Sequence, residues 1–299
     1  MAKKNVAKKA TATMAFTPPR SSQRSKPMKH GRLWLLAGLL VIAAARSAAA
    51  QDDAEAKSAK FIEKAGGTVV REPKIKGNPI IGVNLSAKKF LDADLKELAG
   101  LPQLQTLDVS FTPITDAGLK DLLRFVTLQT LNLTATKVTE AGLKGLGAFK
   151  QLQTLGLGYD KITDASLKTL AAALPQIRRL GLEGTGVTNA GVKELAALKQ
   201  LQAVNLAYTG VTDAGLKDFA VVPALAELDL SQTEVSDAGL KDLAGLAPRL
   251  VILRLASTRV TGDGLKNLSG LTKLKELSLN LTPISDASLK SLAPLVQLE

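Results

Sequence analysis

The sequence has no cysteine, one histidine and few aromatic residues, and each shortage excludes a class of function. Without cysteine in its 299 residues, the chain has no disulfides, thiolate metal sites or cysteine nucleophiles. The histidine, His30, falls in a leader that we expect to be removed, so the mature chain would lack the commonest general base and metal ligand. Aromatic residues make up 3% of the chain, which favours thin, repeated aliphatic layers over one bulky core.

The net charge of +12 is concentrated near the N-terminus. Residues 1–79 hold 16 basic and 5 acidic side chains, a net of +11, whereas residues 80–299 hold 23 and 22, a net of +1. The high isoelectric point therefore does not indicate a nucleic-acid partner for the folded part of the chain.

The first 50 residues have the three parts of a secretory signal peptide. Residues 1–32 carry nine basic side chains and no acid, residues 33–45 are strongly apolar, and an Ala-rich stretch ends at Ala50. Thirteen helical residues span roughly 20 Å, less than the roughly 30 Å hydrocarbon core of a bilayer. We therefore expect cleavage after Ala50 and export to the periplasm or cell surface.

Other interpretations of the leader stay open. Arg46 beside the apolar run is unusual in a signal peptide, so residues 33–45 are an alternative membrane anchor. Translation from Met28 instead of Met1 would give a signal of ordinary length. A basic nucleic-acid-binding tail is disfavoured by the adjoining apolar run, and apart from an uncleaved anchor no membrane span is expected.

A repeat of 24–25 residues dominates the rest of the sequence. In one copy, Leu104-x-x-Leu107-x-Val109 is followed by Ile114-Thr115-Asp116-Ala117-Gly118-Leu119-Lys120. The first apolar residues of the nine copies are Ile80, Leu104, Leu128, Leu152, Ile177, Leu201, Leu225, Leu250 and Leu274. So constant a period predicts nine stacked copies of one structural unit in residues 80–299.

Each unit predicts a short strand followed by a helix. Alternation points Leu107 and Val109 inward and leaves Thr106, Asp108 and Ser110 outward. The chain then turns, with a helix N-cap threonine followed by an acid in the first helical turn. No unit buries both of its faces alone, so neighbouring units must stack.

These repeats resemble the leucine-rich-repeat superfamily, in its ribonuclease-inhibitor-like or cysteine-containing class. The resemblance covers about residues 80–298, and the short Thr-Asp-Ala-Gly-Leu-Lys units are similar to those of exported bacterial repeat proteins. It implies an α/β fold, a right-handed solenoid or horseshoe with a concave parallel β-sheet and helices on the convex side. It also implies recognition of a protein on the concave face, without naming that protein.

The family's usual Asn or Cys after the strand is replaced here by threonine. Lys88 and Asp160 are the exceptions to a column formed by Thr112, Thr136, Thr185, Thr209, Thr233, Thr258 and Thr282. We expect these hydroxyls to bond backbone groups left unpaired at each turn. Before the repeats, residues 51–79 predict an N-terminal cap, with a helix over Asp53–Ala65 and an edge strand at Thr68–Val70.

A lysine follows the helical leucine or valine in all nine repeats. Seven of these lysines have an acid four residues earlier, as Lys120 has Asp116, and we expect the favourable i,i+4 ion pairs. This column therefore predicts a solvated convex face, with an anion-binding stripe as the alternative.

Candidate binding residues are outward strand positions that break the consensus. Tyr159 and Tyr208 lie two repeats apart, roughly 10 Å at ordinary strand spacing, and frame Gly184 beside a low floor of glycines. The predicted partner-binding surface comprises Phe111, Tyr159, Arg179, Glu183, Tyr208, Glu227, Asp229 and Arg254.

The predicted function is a non-enzymatic, exported scaffold that binds a protein. Residues 51–299 contain no phosphate-binding loop, nucleophile elbow or metal-spaced cluster, so we expect no catalysis, metal or cofactor. Recognition of an extracellular glycan or envelope polymer, with the tyrosines as stacking platforms, is an alternative. The repeats also resemble those of F-box proteins, so a ubiquitin-ligase-like substrate receptor is a further alternative if the leader is not an export signal.

Overall fold

The structure, a computed structural model, describes residues 50–299, which belong to one compact unit. Ten strands form one sheet whose spatial order follows the chain order. They are β1 (Thr68–Arg71), β2 (Ile80–Asn84), β3 (Thr106–Asp108), β4 (Thr130–Asn132), β5 (Thr154–Gly156), β6 (Arg179–Gly181), β7 (Ala203–Asn205), β8 (Glu227–Asp229), β9 (Ile252–Arg254) and β10 (Glu276–Ser278). β1 is antiparallel to β2, and all the other pairings are parallel. The predicted α/β solenoid is confirmed.

The repeat period fixes the register of the sheet. Leu107 pairs with Leu131, and Leu131 pairs with Leu155, so equivalent residues of successive coils lie side by side. All three leucines are fully buried. Because side chains alternate along a strand, the same register places every polar strand residue on the opposite, outward face.

The helices that follow the strands are short. They are α2 (Asp116–Leu122), α3 (Glu140–Leu143), α4 (Asp164–Ala173), α5 (Asn189–Glu194), α6 (Asp213–Leu216), α7 (Asp237–Leu240) and α8 (Asp286–Leu289). Most continue as 3₁₀ turns, and the coils after β2 and β9 contain only the 3₁₀ segments Asp92–Leu98 and Leu265–Leu268. A 24-residue coil leaves little room after its strand and turn, which limits most of the helices to one or two turns. The ten-residue α4 lies in a coil of 25 residues.

The acid in the first helical turn bonds to the next coil, which corrects the predicted pairing with lysine. Asp116 accepts hydrogen bonds from the Thr139 backbone N–H (2.8 Å) and hydroxyl (2.6 Å) of the following coil. The same paired contact joins Asp92 to Thr115, Asp164 to Thr188, Asp213 to Ser236, and Asp237 to Thr261. Within residues 50–299 none of the expected i,i+4 aspartate–lysine or glutamate–lysine ion pairs forms. Two hydrogen bonds from the threonine or serine of the next coil orient the carboxylate more firmly than one ion pair with a solvated lysine would.

The prediction that the threonine column bonds the backbone is confirmed at six positions. Each hydroxyl donates to the carbonyl three residues earlier, as Thr185 does to Leu182 at 2.6 Å. The others are Thr112, Thr209, Thr233, Thr258 and Thr282. Thr136 differs, because its hydroxyl and backbone N–H both donate to the carboxylate of Asp160 in the next coil.

The N-terminal end of the sheet is covered. A helix, α1, occupies residues 50–64. Its Ile62 is fully buried in the common core, and the hydroxyl of Ser58 donates to the carbonyl of Glu97 at 2.6 Å. β1 occupies the open edge of β2 through the pairing of Val69 with Val83.

The last coil is less well covered. Leu277 and Leu279 are half-buried, whereas their counterparts one coil earlier, Leu253 and Leu255, are fully buried. Leu281 is 86% exposed. Within the described residues, β10 has no strand on its outer edge.

The expected leader falls outside the described residues, apart from Ala50. The same is true of its alternatives, an anchor at residues 33–45 and a start at Met28. In residues 50–299, every helix is too short or too polar to cross a bilayer.

Candidate functional site

The outward face of the sheet forms an open groove of about 430 Å³. It runs from β3 to β9, and outward strand residues line it from Thr106 to Arg254. Five of the eight predicted site residues line it: Arg179, Glu183, Glu227, Asp229 and Arg254. The fold therefore brings these five together on one concave surface.

The three aromatic candidates lie beside the groove, at the turn after each strand. Phe111, Tyr159 and Tyr208 are 60%, 53% and 55% exposed, and they do not line the groove. Each has a left-handed backbone, with φ between 56° and 58°. Their backbone N–H groups donate to carbonyls of the next coil, as Tyr159 does to Glu183 at 2.7 Å, so the stacked coils impose this conformation. The predicted surface thus splits into a charged groove and an aromatic margin.

The predicted glycine floor is partly filled by neighbouring side chains, which corrects its description as open. The ring of Tyr159 leans over Gly184, where any Cβ would collide with it. The carboxylate of Glu183 leans over Gly158 in the same way. The amide oxygen of Asn132 lies 2.5 Å from the place of a Cβ on Gly156. A missing Cβ leaves a gap that longer side chains of adjacent coils occupy, because close packing is favourable.

Asparagine and aspartate at the second outward position end the strands by bonding their own backbone. The Oδ1 atom of Asp108 accepts the backbone N–H of Ser110 at 2.9 Å, and Asp229 bonds Ser231 in the same way. The pattern recurs at Asn84, Asn132 and Asn205. An Asn or Asp followed two residues later by a small residue is the spacing of an Asx turn, so this role was readable from the sequence but is not among the expectations stated above.

Both arginines of the groove are paired with acids. Arg179 forms a two-pronged ion pair with Glu227, at 2.9 and 2.6 Å, across the small residue Ala203. The contact with Glu227 raises the pKa of Arg179 above its ordinary value. Arg254 contacts Glu276 at 2.7 Å. These side chains are therefore held in place before any partner arrives.

Two carboxylates near the groove have buried oxygens without a hydrogen-bond donor in the described part of the chain. They are Oδ2 of Asp160 and Oε2 of Glu183. Asp160 is 5% exposed, and burial raises its pKa to about 7. Two hydrogen bonds from Thr136 act in the opposite direction, and the negative charge of Glu183 adds a smaller increase. Within residues 50–299 no group of three or more histidines and acids is arranged to hold a metal ion.

Comparison with known proteins supports the family suggested by the repeats. A family model described as Leucine Rich repeat matches residues 101–123, 225–244 and 270–293. No relative is found among curated proteins.

Two solved structures from Listeria monocytogenes are similar in fold. An internalin, inlF, is 22% identical with a TM-score of 0.52, and the match covers 72% of this chain and 57% of that one. This chain therefore spans little more than half the length of that protein. A second internalin, internalin C2, is 26% identical with a TM-score of 0.51, and the match covers 68% of this chain and 81% of that one. The repeats, the parallel solenoid and these matches together support a place for the chain in the leucine-rich-repeat superfamily.

Proposed function

We propose that this chain is an exported, non-enzymatic scaffold that binds a protein partner in the groove of its sheet. The observation that carries the proposal is the groove itself, a hollow of about 430 Å³ open along seven strands. Leucine-rich-repeat proteins typically bind proteins on this face. A groove of this length suits an extended segment of a partner better than it suits an enclosed small molecule.

The rigidity of the surface supports binding without rearrangement. The side chains of Asp108, Asn132 and Asp229 are fixed by bonds to backbone or to neighbours, and Arg179 is fixed by Glu227. Ordered side chains lose little conformational entropy when a partner binds, so more of the contact energy appears as affinity.

Export is proposed from the leader alone. The basic segment, the apolar run at residues 33–45 and the small residues before Gln51 support cleavage after Ala50. N-terminal sequencing of the protein recovered from the cell envelope or medium tests this directly. A mature chain beginning at Gln51 is expected, and one beginning at Met1 or Met28 would refute cleavage.

The binding proposal is tested by blocking the groove. Thr154 is half-buried in the middle of the groove, so Thr154→Trp should fill it and remove capture of the partner from envelope extracts. Gly270→Trp is the matched control, because the exposed Gly270 has no atom near the place of its Cβ and does not line the groove. Capture is measured by affinity purification on the full chain with mass spectrometry. The same proteins retained by both variants would place the binding surface elsewhere.

Glycan recognition is a second candidate, favoured by the aromatic margin. Left-handed backbone costs a residue with a side chain about 1–2 kcal/mol, yet the chain places large exposed rings at Tyr159 and Tyr208. Tyrosine rings offer flat faces on which sugars stack. Replacing both tyrosines with alanine should abolish sugar binding while reducing capture of a protein by the groove much less.

A further inference from the structure

Two neighbouring glycines form part of the floor of the groove. Gly156 on β5 and Gly181 on β6 pair in register at the second outward position. The other parallel strands carry a side chain there: Asn84, Asp108, Asn132, Asn205, Asp229, Arg254 and Ser278. Both glycines line the groove and are half-buried, and the amide oxygen of Asn132 and Oε2 of Glu183 lean towards the places of their missing Cβ atoms.

The carboxylate of Glu183 borders these glycines, and its Oε2 atom lacks a donor within residues 50–299. Its Oε2 atom lies 3.2 Å from the place of a Cβ on Gly181. That oxygen is buried and accepts no hydrogen bond within residues 50–299. A buried carboxylate oxygen without a donor is unfavourable, and a positively charged donor from outside satisfies it best.

The remaining charges of the groove are also negative. Arg179 and Arg254 are occupied by Glu227 and Glu276. Three other carboxylates face the groove without a cation within 4 Å in the described residues: those of Asp108, Glu183 and Asp229. Charge complementarity therefore favours a basic partner and disfavours an acidic one.

We propose that the segment bound in the groove inserts a lysine or arginine side chain over Gly156 and Gly181 and pairs its charged end with Glu183. This inference rests on the protein-binding function proposed above. The aliphatic stem lies over the two glycines beside the amide of Asn132, and the ammonium or guanidinium donates to the half-buried carboxylate of Glu183. Glu183 thus determines specificity for one basic position in the partner.

The test uses peptide selection on the full chain. A display library of random dodecapeptides is selected on the unaltered protein and on Glu183→Gln. The unaltered protein is expected to enrich peptides with lysine or arginine at one fixed position. The selected peptides should bind Glu183→Gln about tenfold more weakly or worse, as expected for the loss of one charge-assisted hydrogen bond. Glu234→Gln is the matched control, because Glu234 is exposed, pairs with Arg259 and lies outside the groove.

Enriched peptides without a common basic position, or equal binding to Glu183→Gln, overturn this inference and leave the protein-binding function standing. Failure of the unaltered protein to enrich any peptide contradicts both. If Glu183→Gln does not fold, replacing the basic residue of a selected peptide with norleucine on the unaltered protein gives the same answer, because the affinity must fall by a similar factor.

Discussion

At the scale of single residues, Asp160 is the clearest departure from the repeat. Seven other coils carry threonine at this position, and six of these hydroxyls bond their own strand. A carboxylate cannot donate unless it is protonated, and Asp160 instead accepts from the Thr136 backbone and hydroxyl. The substitution exchanges a bond within one coil for a bond between two coils.

The raised pKa of Asp160 makes stability depend on pH. Its pKa is about 7 in the folded chain and near the ordinary 3.8 when unfolded, so the folded chain binds its proton more tightly. The free energy of unfolding should therefore fall as pH rises from about 4 to about 7. Asp160→Thr should raise stability at pH 8 by roughly 1–3 kcal/mol and reduce this slope. Denaturant unfolding at pH 4.5 and pH 8 measures the difference.

Asp263→Asn serves as the comparison, because Asp263 is an exposed acid whose removal changes the net charge equally. An identical loss of pH dependence in the two variants would show that net charge, and not the buried carboxylate, is responsible.

At the scale of the element, adjacent coils are matched at a seam between the acid of one and the glycine of the next. Gly142 has no Cβ, and any Cβ there would collide with Asp116 of the preceding coil. The same close approach joins Asp92 to Gly118, Asp164 to Gly191, Asn189 to Gly215, Asp213 to Gly239, and Asp237 to Gly264. The glycine of the Asp-Ala-Gly motif therefore leaves room for the carboxylate of the preceding coil.

The seam has two exceptions, and in each the coil without the aspartate is followed by a coil that has serine instead of the glycine. Where Glu140 replaces the aspartate, the next coil has Ser166, whose hydroxyl accepts the Thr163 backbone N–H. Where Gly262 occupies the position of the aspartate, the next coil has Ser288, whose hydroxyl contacts that of Ser285. A serine at the third helical position thus replaces the missing carboxylate from the preceding coil.

The seam predicts energetic coupling between coils. Gly142→Ser alone should destabilise the chain by about 1–3 kcal/mol, because its side chain collides with Asp116. Combining it with Asp116→Glu recreates the Glu140–Ser166 seam and should recover part of that loss. A double-mutant cycle by thermal unfolding should give a coupling energy of about 0.5–3 kcal/mol. Strictly additive effects of the two substitutions would contradict the match.

At the scale of the whole molecule, the two ends of the solenoid are unequal. At the first end α1 and β1 cover the core, and Val83 is 2% exposed. At the other end Leu277 and Leu279 are half-buried and Leu289 is 45% exposed. Each coil of a solenoid is stabilised mainly by its neighbours, so a coil with one neighbour opens more easily.

This difference predicts a gradient of hydrogen exchange. Backbone amides of residues 275–299 should exchange fastest among the repeats, and protection should rise over the preceding coils towards β6. Exchange followed by mass spectrometry on the full chain measures the gradient, with β2 as the covered reference. Protection of β10 equal to that of β6 would show that the last coil needs no cover.

The repeat period predicted the backbone better than it predicted the side chains. The spacing placed Leu107 beside Leu131 and assigned Thr185 to the backbone, since both follow from stacking equal coils. It paired Asp116 with a lysine on its own helix, whereas the carboxylate faces Thr139 of the next coil. Spacing identifies neighbours, but choosing between two neighbours depends on rotamers and on the space that a glycine opens.

This choice between neighbouring side chains also explains why the sequence predicted only part of the candidate surface. Outward strand positions followed from alternation, so the charged residues of the groove could be named from the sequence. The lean of Tyr159 over Gly184 and that of Glu183 over Gly158 could not, because they depend on which side chain enters the space of a missing Cβ.

The seam between coils also constrains how a gene for such a chain can change in length. Unequal recombination between near-identical units adds or removes whole coils, and most of them are interchangeable because each offers an aspartate and accepts one over a glycine. Two pairs of adjacent coils are not: the pair that carries Glu140 and Ser166, and the pair that carries Gly262 and Ser288. Loss of the first coil of either pair alone would set an aspartate, Asp116 or Asp237, against a serine. Natural variants with fewer or more repeats are expected to inherit each of those pairs as a single block.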